Sequence, residues 1–233
     1  MNPILKSYLL LFFFLITYLA FSQQTDWLKC YGGTDTDYAF SITSTFNSGF
    51  IIASSTMSID GDVSNNHGQT DCWIIKLDSL GVIQWEKSFG GTSTESTYAI
   101  QATTDNGYIF VGATNSNNGD VSGNHGYYDC WVVKTDSIGN IIWQKCFGGT
   151  NRENAYSVVE CFDGGYIFAG YTLSDDGDVS ISYGSNDAWV VKLDISGNLE
   201  WEKSFGGSQR EYANVILQTS DKGFIIGGAQ KII

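Results

Sequence analysis

The sequence predicts an all-β chain: a β-propeller of four-stranded blades built on a 58-residue repeat, forming an incomplete ring of three full blades plus partial ones. Three observations carry this. The segment DCWIIKLDSLGVIQWEKSFGG at Asp71–Gly91 returns as DCWVVKTDSIGNIIWQKCFGG at Asp129–Gly149 and as DAWVVKLDISGNLEWEKSFGG at Asp187–Gly207. All seven tryptophans occupy two columns of that repeat: Trp73, Trp131 and Trp189 in one, Trp27, Trp85, Trp143 and Trp201 in the other. No window carries a useful helical period, and each unit reads as short strands apolar on both faces. A lone sheet of that kind leaves both faces in water, whereas stacked neighbours bury them.

The elements follow in order. Residues 1–22 read as a signal peptide: Lys6 gives the positive start, YLLLFFFLITYLAF the apolar core, and Ala20-Phe21-Ser22 the small-residue cleavage pattern. That core is short for a membrane span, which needs about 20 residues. Residues 23–233 form the repeat array. Residues 25–31 read as an outer strand of a partial blade. In the first full blade, 38–91, the strands fall at Tyr38–Phe46 (a), Phe50–Ser55 (b), Asp71–Asp78 (c, apolar on both faces) and Val82–Phe89 (d). Asn47-Ser48-Gly49 is a hairpin turn between a and b, and Ser79-Leu80-Gly81 a tight turn between c and d. Blades 96–149 and 154–207 repeat the pattern, and 212–229 supplies strands a and b of a further partial blade. The count suggests a piece of a longer ring, or two chains that close one ring together.

The formal net charge is −13, with 12 Lys and Arg against 25 Asp and Glu. Phosphate binding needs clustered cations, so nucleic acid and anionic membrane surfaces are not expected partners. Of the five cysteines, Cys30 and Cys146 share a column with Ser88 and Ser204, and Cys72 and Cys130 one with Ala188, which reads as small buried filler without an obligatory disulfide, and no CxxC pair suggests zinc.

The order Gly-Gly, acidic residue, strand a, D-G-G-Y-I-x-x-G-x-T, polar loop, then D-x-W-V-V-K-L-D-x-x-G-N-x-x-W-x-K-x-F-G-G, best seen at Asp163–Thr172 and Asp187–Gly207, resembles the SBBP-type β-propeller repeat of secreted bacterial proteins. The L-D-x-x-G-x-x-x-W part is similar to the tryptophan-docking motif of quinoprotein-type propellers. The resemblance spans nearly all of the mature chain. It implies a large extracellular or surface protein with an undefined ligand.

Strand alternation puts the b–c loops and d–a links on one rim. The loops hold Asp60, Asp62, Ser64, Asn66 and His67; then Asn118, Asp120, Ser122, Asn124 and His125; then Asp176, Asp178, Ser180, Ser182 and Tyr183. Oxygen side chains at alternate positions, closed by Asp71, Asp129 or Asp187, imitate a calcium loop. The metal candidates are therefore Asp60, Asp62, Asp71, Asp120, Asp129, Asp176, Asp178 and Asp187; the competing reading is Asx-turn chemistry. Ser64, His67 and Asp71, recurring as Ser122, His125 and Asp129, nominally supply a nucleophile, base and acid. A set repeated in every blade reads better as structure, because one substrate needs one asymmetric site. A sialidase-like box fails at Asp78–Gly81, which has one residue too many, and no arginine cluster accompanies it. The expectation is thus a non-enzymatic, secreted or cell-surface binding, adhesion or scaffold module. It has no catalytic residues and no cofactor beyond possible calcium. Its ligand is extracellular, a glycan or a protein met at rim aromatics such as Tyr127, Tyr128 and Tyr183. The alternative is the propeller portion of a larger secreted hydrolase.

Overall fold

The computed structural model describes residues 27–230. The chain divides into two compact units, residues 1–30 and 31–233. Within the first, residues 27–30 carry no strand, and the Lys29 ammonium lies 5.9 Å from the centre of a Trp27 ring. The signal segment expected at 1–22 lies outside the described residues. So do residues 25 and 26 of the expected partial strand, and residues 27–31 form no strand. An outer strand takes its hydrogen bonds from strand c of its own blade, and among the described residues no strand precedes this segment.

Among the described residues, the second unit holds fourteen strands. The first sheet runs β1 (Asp37–Ser44), β2 (Phe50–Thr56), β3 (Asp71–Leu77), β4 (Ile83–Phe89) in spatial order. The second runs β5 (Glu95–Ala102), β6 (Tyr108–Thr114), β7 (Asp129–Thr135), β8 (Ile141–Phe147). The third runs β9 (Glu153–Glu160), β10 (Tyr166–Thr172), β11 (Asp187–Leu193), β12 (Leu199–Phe205), and β13 (Glu211–Gln218) pairs with β14 (Phe224–Gln230) alone. Every pairing between these strands is antiparallel. The chain is therefore all-β, a series of propeller-type blades, and the described residues close no ring.

Each blade packs on the next through apolar side chains. Ile51, Ala53, Cys72 and Ile74 of the first blade share one buried cluster with Phe110, Trp131 and Val133 of the second. Ile109, Val111, Cys130 and Val132 of the second share another with Phe168, Trp189 and Val191 of the third. The tryptophans of β7 and β11 thus fill blade junctions. Those of β4 and β8 reach across as well: Trp85 meets Tyr108 with ring centres 5.8 Å apart, and Trp143 meets Tyr166 at 5.7 Å. Strands β3, β7 and β11 are buried along all seven residues, but not by apolar side chains alone. Lys76, Lys134 and Lys192 are buried too, each donating from Nζ to the carbonyl of the following residue at 2.8–3.0 Å.

The first strand of every blade is bulged, and the extra residue is Phe40, Tyr98, Tyr156 or Asn214. A bulge re-aims the side chain it carries. Here it lines the aromatics up from blade to blade: Phe40 to Tyr98 and Tyr98 to Tyr156 are both edge-on at 5.2 Å. The outermost faces lack this cover. Ile42 is 60% exposed, whereas its counterparts Ile100, Val158 and Ile216 are at most 7% exposed. Ile225 is 62% exposed against 0% for Ile51, Ile109 and Ile167.

Candidate functional site

The acidic rim is built from the glycine pairs that end β4 and β8 and from the loops that follow β2, β6 and β10. In the second junction the Gly148 N–H donates to Asp178 Oδ2 (3.1 Å), the Gly149 N–H to Glu153 Oε2 (3.0 Å) and the Thr150 N–H to Asp176 Oδ1 (2.8 Å). The first junction repeats this with Gly90 on Asp120 (3.2 Å), Gly91 on Glu95 (2.7 Å) and Thr92 on Asn118 (2.9 Å). Gly32 on Asp62 (3.1 Å), Gly33 on Asp37 (2.9 Å) and Thr34 on Asp60 (2.8 Å) complete the series. Val63, Val121 and Val179 anchor the same loops in the core. The d–a link is thereby stapled to the loop of the blade it enters.

The acids expected as calcium loops are divided between two tasks. Asp60, Asp62, Asp120, Asp176 and Asp178 accept from the links, whereas Asp71, Asp129 and Asp187 turn inward and are wholly buried. Asp71 Oδ2 accepts from the His67 N–H (2.8 Å) and lies 2.5 Å from its Nδ1. Asp129 holds His125 the same way at 3.0 and 2.6 Å, and Asp187 accepts from the Tyr183 N–H at 2.6 Å. The other oxygen, Oδ1, of all three aspartates is buried without a hydrogen bond among the described residues. It faces the glutamate of the next blade across a glycine: a Cβ on Gly148 would lie 2.3 Å from Glu153 Oε2 and 3.1 Å from Asp129 Oδ1. Burial raises the carboxyl pKa of Asp71 and Asp129 above the usual range, the His67 and His125 contacts oppose it, and the nearby Asp120 and Glu153 add to it. Among the described residues, no group of three or more His, Cys, Asp or Glu side chains converges as a metal-binding set.

The nominal triad is half assembled. His67 and His125 have their acid, but the serines look elsewhere: Ser64 donates to Glu86, and Ser122 Oγ lies 2.6 Å from the Gln144 amide. Those residues also accept from the indole N–H of Trp73 and Trp131, each at 2.8 Å. The serine column therefore ties its loop to the outer strand. Of the expected rim aromatics, Tyr127 and Tyr183 are exposed. Tyr128 is packed between Tyr127 and Arg152, whose guanidinium lies 4.6 Å from its ring centre.

The opposite rim, which carries the hairpin turns and c–d turns, holds grooves that the sequence reading passed over. Between the first two blades a groove of about 490 Å3 is lined by Lys76, Gln84, Trp85, Tyr108 and Ile138, among others. Its equivalent one blade on, about 450 Å3, is lined by Asp105, Lys134, Trp143, Glu160 and Tyr166. A third, about 220 Å3, has Asp163, Lys192, Glu200, Trp201 and Phe224. The lysines are paired: Lys134 with Asp105 at 2.8 Å, and Lys192 with Asp163 at 3.0 Å and Glu200 at 2.9 Å. Burial opposes ionisation of Asp105, but Lys134, the Thr103 hydroxyl and the Gly107 N–H more than offset it and hold the carboxyl at about 2. The signal was present as lysine at position six of every strand c, a charge inside an otherwise apolar run.

All five cysteines are free, and burial pushes the thiols of Cys72, Cys130, Cys146 and Cys161 up. Together the fold and its rims define a propeller-type blade array with stapled junctions and repeated inter-blade grooves.

No family model matches the chain. Over 113 residues it is 25% identical to the regulatory protein FlaEY of Caulobacter vibrioides, covering 46% of this chain and 12% of that protein. The chain thus spans about an eighth of that relative's length. Solved structures similar to it include a protein of unknown function from Bacteroides caccae (TM-score 0.30, 11% identity, 74% of this chain and 69% of that one). A mutant of Synechocystis apocarotenoid oxygenase is another (TM-score 0.40, 12% identity, 83% and 50%).

Proposed function

We propose that this chain is a non-catalytic, secreted or surface-exposed binding module that presents its blades to an extracellular glycan or protein as an adhesion or scaffold element. The observation that carries the reading is the fate of the rim serines. Each is hydrogen-bonded to the outer strand of its own blade, in Ser64, Ser122 and Ser180 alike, so that neither Ser64 nor Ser122 stands ready for its neighbouring histidine, and the third loop has Tyr183 in that place. The leader at residues 1–22 supports export. The test is to incubate the chain with glycan and peptide ligands and recover them. Bound and chemically intact ligand is expected; turnover abolished by His125→Ala would overturn the reading.

The uncovered faces at Ile42 and Ile225 support a second proposal, that two copies join head to tail to close a ring. Sedimentation is expected to give a dimer, and a stable monomer at micromolar concentration would contradict it.

The alternative, a propeller portion of a larger secreted hydrolase, draws on the His67–Asp71 pair, because an acid holding Nδ1 leaves the other ring nitrogen free to act as a base. Glycan or peptide hydrolysis lost in His67→Ala would favour it.

A further inference from the structure

We propose that the two grooves at Trp85–Tyr108 and Trp143–Tyr166 each bind a neutral sugar ring of a glycan, an assignment that rests on the binding-module reading. Tyr108 and Tyr166 are 4% and 3% exposed, and both line their grooves. No hydrogen bond reaches either hydroxyl among the described residues, although the charged groups beside them are engaged: Lys76 with Gln84, Lys134 with Asp105, and Glu160 with Thr104. A hydroxyl on an otherwise buried ring, opening into a cavity, is a fixed donor and acceptor awaiting a partner. Beside it the half-buried indole offers apolar surface. An apolar wall with a few convergent polar groups is the general form of a small-ligand site.

A pyranose matches both halves, with C–H groups on its faces and hydroxyls at its edge. In the second groove the ligand is neutral because the cation is already matched: Lys134 is held by Asp105 at 2.8 Å and leaves no free charge for a phosphate or uronate. In the first groove Lys76 is buried and donates to Leu77 O at 2.8 Å and Gln84 Oε1 at 3.0 Å, which uses two of its three N–H groups and leaves one for a sugar hydroxyl. The third groove is a built-in control. It is less than half the size, and Phe224 replaces the tyrosine, so the hydroxyl is missing.

The test is an array of neutral hexose and pentose oligosaccharides, with acidic oligosaccharides alongside, probed with the full chain. The best neutral glycan is then titrated calorimetrically into wild type and into Tyr108→Phe/Tyr166→Phe, with circular dichroism confirming the fold. We expect two sites per chain in the wild type and an affinity loss of about three- to tenfold in the double variant, the effect of one lost hydrogen bond per site. Neutral-glycan binding unchanged in the double variant would overturn the groove assignment while leaving the binding-module reading intact. So would binding of acidic glycans alone, or of no glycan. Cleaved oligosaccharides in the mass spectrum of the array eluate would instead sink the non-catalytic reading itself.

Discussion

The indole of Trp143 lies directly against the α-carbon of Gly197: a methyl group built on that glycine would sit 2.8 Å from Cε3 and Cζ3 of the ring. The two residues belong to successive blades. Gly197 closes the tight turn before β12 with a φ of +77°, which a side chain adopts poorly. One glycine thus serves both a turn and the docking of the preceding blade. Gly197→Ala is expected to cost at least about 1–2 kcal/mol for the backbone alone, and more for the displaced ring. Gly164→Ala separates the two terms, because its φ is +82° but a Cβ there would have only Ile195 at 3.7 Å. Urea denaturation should show Gly197→Ala as the more damaging change; equal losses would mean the Trp143 contact contributes nothing.

Trp131 is fully buried between the first two blades, and its N–H is satisfied by Gln144. Trp131→Ala should destabilise by about 3–5 kcal/mol. An unaltered unfolding midpoint would remove the residue from the junction.

Asp129 has a pH signature. Its folded-state pKa lies above the ordinary 3.8 because the carboxyl is buried and faces Glu153. The folded state then holds the proton that the unfolded state releases, so this group's contribution is complete below 3.8 and fades as pH rises through the elevated value. Asp129→Asn supplies a permanent N–H toward Glu153. Stability measured from acid to neutral pH should fall less steeply in the variant; parallel curves would contradict the assignment.

Much of this fold was legible beforehand, because a 58-residue repeat leaves few alternatives and the strand boundaries sit at glycine and Asx turns. The bulges at Tyr98 and Tyr156 were not, since a single extra residue does not disturb alternation over so short a strand. The acidic loops were seen as a cluster but not as staples. Which donor each carboxylate meets depends on the glycine pair of the preceding blade, which is distant in the chain: Gly148 and Asp178 are 30 residues apart. The grooves were hidden for a similar reason, since Trp143 and Tyr166 meet only once two blades stack.

Paired replacement of the staples should be costly without any ion. Asp120→Ala/Asp178→Ala removes one hydrogen bond from each of two junctions, with an expected loss of about 1–3 kcal/mol by chemical denaturation. Wild-type stability in the double variant would mean that the links hold without these acids.

The most direct test of the stapled rim is thermal unfolding of residues 23–233 in calcium and in chelator. If Asp60, Asp120 and Asp178 serve backbone N–H groups, the two midpoints coincide. A midpoint clearly raised by calcium would contradict this and make the same loops metal sites.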